Sequence, residues 1–135
     1  MVAGDPSRRS YNASDQTQSA VGFTCIENGD QVYPGFPDFS CSGGLRAQII
    51  FPSCWDGAPI SATDFKGHVV YPETADYYSS CPASHPKHLF NLFLEVTYHT
   101  DAFTGQWEEN VGKQPFVLAN GDPTGYGFHA DFVSS

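Results

Sequence analysis

The stretch "LFNLFLEVTYHT", residues 89–100, constrains this chain more than any other. Read at period two, Phe90, Leu92, Leu94, Val96 and Tyr98 fall on one face, and Asn91, Phe93, Glu95, Thr97 and His99 on the other. A wholly apolar face opposite a mixed one is a β-strand that needs a layer to cover it. Amphipathic runs at helical period are nearly absent elsewhere. "VGFTCI", "LRAQIIFPSC" (halted at Pro52), "HVVYPE", "QPFVLAN" and "YGFHADFV" read as further short strands, separated by loops that use 13 glycines and 10 prolines. The last two are joined by Gly-Asp-Pro-Thr-Gly, which predicts a hairpin or a tight corner. Five to seven short strands with irregular connections predict an all-β fold, a β-sandwich of jelly-roll type with long disulfide-stapled loops. The 135 residues fit a single domain, with a polar arm or loop over 1–20 and a β core over 21–135.

Charge narrows the partners. The formal net charge is −9, from six lysines and arginines against fifteen carboxylates. With no basic patch on which phosphates could release counterions, nucleic acid is excluded as an expected partner. An acidic surface also repels anionic lipid and polyanionic glycans, while neutral polysaccharide or a bound divalent cation stays compatible. No apolar run approaches the roughly 20 residues of a membrane span, and "MVAGDPSRRSYNAS" lacks the apolar centre of a signal peptide.

Cys25, Cys41, Cys54 and Cys81 are even in number and lack paired C-x-x-C spacing, so disulfides fit better than a zinc site. Three connectivities are open. Nearest-neighbour pairing is favoured because it staples the two long loops. The sequon Asn12-Ala13-Ser14 agrees with an extracellular, glycosylated protein that is secreted, whose export signal would lie upstream of Met1.

Several residues could carry chemistry. Trp55 and Asp56 follow a strand end beside a cysteine, where an aromatic face and a carboxylate could meet sugar; they could equally pack on a disulfide and form an Asx turn. His68 opens "GHVVYPE" with no ligand at chelating spacing. His85 and His88 are separated by Pro86, which rules out a regular helical pair for a metal. Glu95 lies on the mixed face of its strand, and His99, four residues on, is about 13 Å away along a strand, too far to share an ion. His129 and Asp131 form the sharpest constellation: two apart on a strand, they leave one face about 7 Å from each other, within reach of one metal, water or hydroxyl. Gly125 and Gly127 flank Tyr126 and would let a ligand approach backbone.

The ordered motifs "GGLRAQIIFPSCWDG", "GHVVYP", "CPASHP", "LFLEVTY" and "NGDPTGYGFHADF" resemble the family called domain of unknown function 1996, over about Gly4 to Phe132. The resemblance implies an exported protein of fungal or bacterial type, working at polysaccharide or the cell wall, since some members carry wall-sorting or carbohydrate-binding modules. The family's recurrent polar positions fall on Asp56, His68, His85, Glu95, Asp122, His129 and Asp131, with Trp55 and Tyr126 as aromatics. Members usually carry a further N-terminal half with its own histidine motif. The resemblance therefore implies that these residues are a C-terminal portion, whose sheet the missing half or another chain would complete.

Three functions follow as expectations. A glycan-cleaving enzyme would draw acid–base groups from His68, Glu95, Asp122, His129 and Asp131, with Asp56, Trp55 and Tyr126 binding substrate. A non-catalytic module would hold neutral polysaccharide, or a divalent metal at His129, Asp131 and His68, without turnover. A structural or interaction protein would bury its histidines against backbone. No cofactor is assigned from the sequence.

Overall fold

A computed structural model describes residues 1–60, 63, 65–74, 76–106 and 114–133. In chain order its elements are β1 (Val2–Gly4), α1 (Gln16–Ser19), β2 (Val21–Cys25), β3 (Leu45–Ile50), β4 (Cys54–Trp55), β5 (Val69–Val70), β6 (Lys87–His88), β7 (Phe93–Tyr98) and β8 (His129–Asp131). Short 3-10 turns occupy Ile26–Asn28 and Thr100–Gln106. Its regular elements are thus mostly strands, with a single four-residue α-helix among the described residues. That helix starts where the Asp15 carboxylate accepts the Thr17 N–H at 2.9 Å.

The strands form three small antiparallel sheets, ordered β1-β8, β2-β3-β7 and β5-β4-β6. β3 is the organiser. Its alternation puts Leu45, Ala47 and Ile49 in the core and leaves Arg46, Gln48 and Ile50 half-buried on the opposite face. Register continues the apolar side across the sheet, pairing Phe23 with Ala47 on β2 and Ala47 with Val96 on β7. Phe23, fully buried, meets Phe36 and Phe128 at ring-centroid distances of 4.8 and 5.8 Å, so three aromatics distant in sequence close one core. On the far face Gly22 admits Val32, whose Cγ1 would lie 2.4 Å from any added Cβ.

Both disulfides follow the nearest-neighbour pairing, Cys25–Cys41 and Cys54–Cys81. The first ties the end of β2 to the Gly/Pro-rich loop, and the second ties β4 to the loop before β6.

Three local expectations change. The alternating stretch is a strand only over Phe93–Tyr98, and its apolar side is not covered: Leu94 and Tyr98 remain 40% and 44% exposed, and Phe90, outside the strand, 67%. Among the described residues β7 is an edge strand, bonded to β3 alone, and Leu92 just before it packs against the core. "QPFVLAN" forms no strand, because the Gln114 side chain satisfies both the N–H and the carbonyl of Phe116 that a ladder would have used. The Gly-Asp-Pro-Thr-Gly segment is therefore a tight corner and not a hairpin. The strand after it, β8, pairs with β1, so the segment read as a polar arm contributes a strand whose Ala3 is buried in the core.

Candidate functional site

The corner at 121–127 is built around one carboxylate. Asp122 is fully buried. Its Oδ1 accepts the Thr124 N–H at 2.8 Å and the Thr124 hydroxyl at 2.6 Å, and its Oδ2 accepts the Gly127 N–H at 2.6 Å. The Arg9 guanidinium stands 3.6 Å from Oδ1. Burial pushes the carboxyl's pKa up, but the bonds from Thr124 and Gly127 and the charge on Arg9 outweigh it, so the net direction is below the ordinary value. Glycine is required at 125, where φ is +82° and a Cβ would meet the Phe36 nitrogen at 2.8 Å and the Phe23 ring at 2.9 Å.

The same corner sets His129. The Gly127 carbonyl accepts from Asn120 Nδ2 at 2.9 Å and lies 3.1 Å from His129 Nδ1. A carbonyl cannot donate, so Nδ1 carries the proton, and Nε2 of the neutral ring is the acceptor. His129 and Asp131 are exposed on one side of β8, with Ala130 turned the other way, as the spacing predicts. Their ladder partners are Gly4 and Val2, so the strand opposite presents no polar side chain to either. Tyr126 is half-buried and stacks on Tyr11, centroids 6.0 Å apart at an interplanar angle of 19°.

A second group surrounds β4. Lys87 Nζ lies 4.9 Å over the Trp55 ring, directly across the ladder. The indole N–H donates to the Ala58 carbonyl at 3.0 Å, and Asp56 Oδ1 accepts the Ala58 N–H at 2.8 Å, which is the Asx-turn alternative for that carboxylate. His68 is buried; its carbonyl accepts the Asp56 N–H at 3.2 Å, and its Nδ1 has no partner among the described residues. His85 donates from Nε2 to the Gly67 carbonyl at 2.9 Å, and His88 from Nδ1 to the Leu89 carbonyl at 2.7 Å, each anchored separately on backbone.

The five residues read as acid–base candidates thus divide among three settings. Asp122 and His129 share Gly127, with Asp131 beside them on β8. His68 belongs to the group around β4, joined to Asp56 through backbone. Glu95 lies on β7, in another sheet, ion-paired with Arg46 at 3.1 Å. The one cluster of three potential metal-ligating side chains among the described residues, Cys25, Glu27 and Cys41, has its sulfurs bound to each other. Glu27 instead accepts from Ser42 and from the Gly43 N–H at 2.9 Å.

One feature was not legible beforehand. A groove of about 420 Å³ runs between the end of β7 and residues 116–119, with Tyr98, Phe103 and Val117 at 44%, 50% and 59% exposure. Among the described residues that line it there is no Asp, Glu, Lys or Arg, and the polar side chains are those of Tyr98, His99 and Thr100. The Thr100 hydroxyl is buried without a partner among the described residues. In sequence these residues come from segments 98–103 and 116–119, joined by Phe36 and Leu45 from far upstream, so only the clustering of exposed aromatics in three dimensions marks the site.

Among the described residues, no helix is long and apolar enough to cross a membrane. No curated protein matches the chain. No solved structure matches it either. A family model described as a domain of unknown function, DUF1996, matches residues 1–135. The chain therefore belongs to the DUF1996 family.

Proposed function

We propose that this chain is a secreted domain that binds neutral cell-wall or extracellular polysaccharide without cleaving it. The observation that carries the reading is the groove whose described lining is aromatic and free of charged side chains. The C–H faces of a pyranose stack on rings such as Tyr98 and Phe103. Its volume suits a small-ligand site with few polar contacts. Net charge of −9 favours a neutral glycan over a polyanionic one. Two disulfides suit an oxidising, extracellular setting. A jelly-roll sandwich is the frame this reading assumes around the three small sheets.

Catalysis is less well supported. Glycoside cleavage needs two carboxyls about 5 to 10 Å apart across a cleft. Glu95 is neutralised by Arg46, and Asp122 is closed off by its donors. The test is retention on insoluble neutral glucan, mannan and chitin against pectate, together with an assay for released reducing ends. Retention on a neutral glycan, weakened about tenfold by Tyr98→Ala or Phe103→Ala, with no release, is the expected result; a tenfold change corresponds to 1.4 kcal/mol. Release of reducing ends would establish the enzyme instead, and no retention on any glycan would end the binding reading.

A divalent-cation site at His129 and Asp131 is a second reading, favoured by their common exposed face and by a Nδ1–H that leaves Nε2 as the ligand atom. Titration with Zn²⁺ or Mn²⁺ should show one site lost in His129→Ala; identical isotherms would exclude it.

A further inference from the structure

We propose that Asn12 is an acceptor for N-linked glycan, and that the loop around it is shaped to present the amide to a transferase. The sequon alone is common by chance; what the fold adds is conformation and access. Asn12, Ala13 and Ser14 are all exposed, in a loop between β1 and α1. The Asn12 side-chain oxygen accepts the Ser14 N–H at 3.0 Å, and its backbone carbonyl accepts the Asp15 N–H at 3.1 Å. This Asx turn nested in a β-turn turns Oδ1 inward and leaves Nδ2 without a hydrogen bond among the described residues.

The loop is also held from outside itself. The Asn12 N–H donates to the Gln18 side chain at 2.8 Å, and Tyr11 stacks on Tyr126. The acceptor is thus presented by an ordered surface turn, and no backbone ladder has to open for an enzyme to reach it. Two disulfides indicate the oxidising compartment in which this transfer takes place.

The step is a substitution at a sugar. Asn12 Nδ2 bonds to the anomeric carbon of an oligosaccharide carried on a lipid pyrophosphate. The bond from that carbon to the pyrophosphate oxygen breaks with its electron pair, and the amide nitrogen gives up one proton. No oxidant or metal redox change is involved. The attached glycan stands next to Tyr11 and therefore beside Tyr126 and the 121–127 corner.

The inference is independent of the groove. Its test is translation of the full chain, behind a cleavable export signal, into microsomes, with one reference sequon in a tag appended after Ser135. Only molecules carrying the tag glycan are scored, which restricts the readout to chains that entered the lumen. The wild-type chain and Ser14→Thr are expected to carry two glycans, and Asn12→Gln and Ser14→Ala one, all removed by amidase. Wild-type molecules bearing the tag glycan alone would overturn the proposal. So would two glycans persisting in Asn12→Gln.

Discussion

Asp122 accepts the Gly127 N–H at 2.6 Å while His129 Nδ1 donates to the carbonyl of that same Gly127 at 3.1 Å. A buried carboxylate and an exposed imidazole are thereby coupled through one glycine. The carboxylate closes the corner, and the corner fixes the tautomer and direction of the ring. Asp122 acts as the residue that positions His129, with no open face of its own toward a ligand.

Removing that carboxylate should therefore cost stability. Asp122→Ala leaves the Thr124 and Gly127 N–H groups buried without acceptors, and a loss of about 2–4 kcal/mol in urea unfolding is expected. The pH dependence has a definite sign. A folded-state pKa below the ordinary 3.8 means that the contribution is present above the unfolded value and is lost as pH falls through the folded one. Wild-type stability should fall below about pH 4, more steeply than that of Asp122→Asn. Parallel curves would show that this group does not supply the slope.

Two glycines with nearly equal φ should respond very differently. Gly125→Ala combines a left-handed conformation with a Cβ 2.8 Å from the Phe36 nitrogen, and is expected to cost about 3 kcal/mol or more. Gly121→Ala has φ +81° but nothing within 4 Å, so strain of about 1 kcal/mol is all that remains. Denaturant midpoints at unchanged slope would check both. Equal losses would mean that the contact with the Phe23–Phe36 cluster is not the controlling factor.

The disulfides span 16 and 27 residues. In the chain-entropy model each contributes about 3 kcal/mol, the longer loop exceeding the shorter by only about half a kcal/mol. Pairwise Cys→Ser variants, Cys25/Cys41 and Cys54/Cys81, should thus be destabilised to a similar extent in thermal unfolding. A much larger loss for Cys25/Cys41 would point instead to packing around those sulfurs, which are buried in the main core.

Glu95 separates binding from catalysis. Its pair with Arg46 is partly exposed, so Glu95→Gln should change stability by no more than about 1 kcal/mol. Retention on neutral glycan should be unchanged in that variant. Should the wild-type chain release reducing ends and Glu95→Gln abolish that release, this carboxylate would be catalytic after all.

Local chemistry decided what the sequence determined by itself. Alternation at period two over residues 89–100 marked β7, which forms the central part of that stretch, because side chains one residue apart on a strand must leave opposite faces. Cysteine count and loop length favoured the disulfide pairing that forms, and a spacing of two placed His129 and Asp131 on a common side of β8. The tertiary structure decided everything that depends on which segments meet. Leu94 and Tyr98 stay exposed because β7 lies at a sheet edge, and periodicity reports a face without reporting whether a neighbour covers it. Asp122 became a buried positioning group because Arg9, Thr124 and Gly127 converge on it, and one of those comes from more than a hundred residues away. β8 joined β1, and the groove arose between β7 and residues 116–119, through pairings between distant segments. Such contacts are set by packing and by unpaired backbone seeking partners across the fold, and neither is written in the spacing of neighbouring residues.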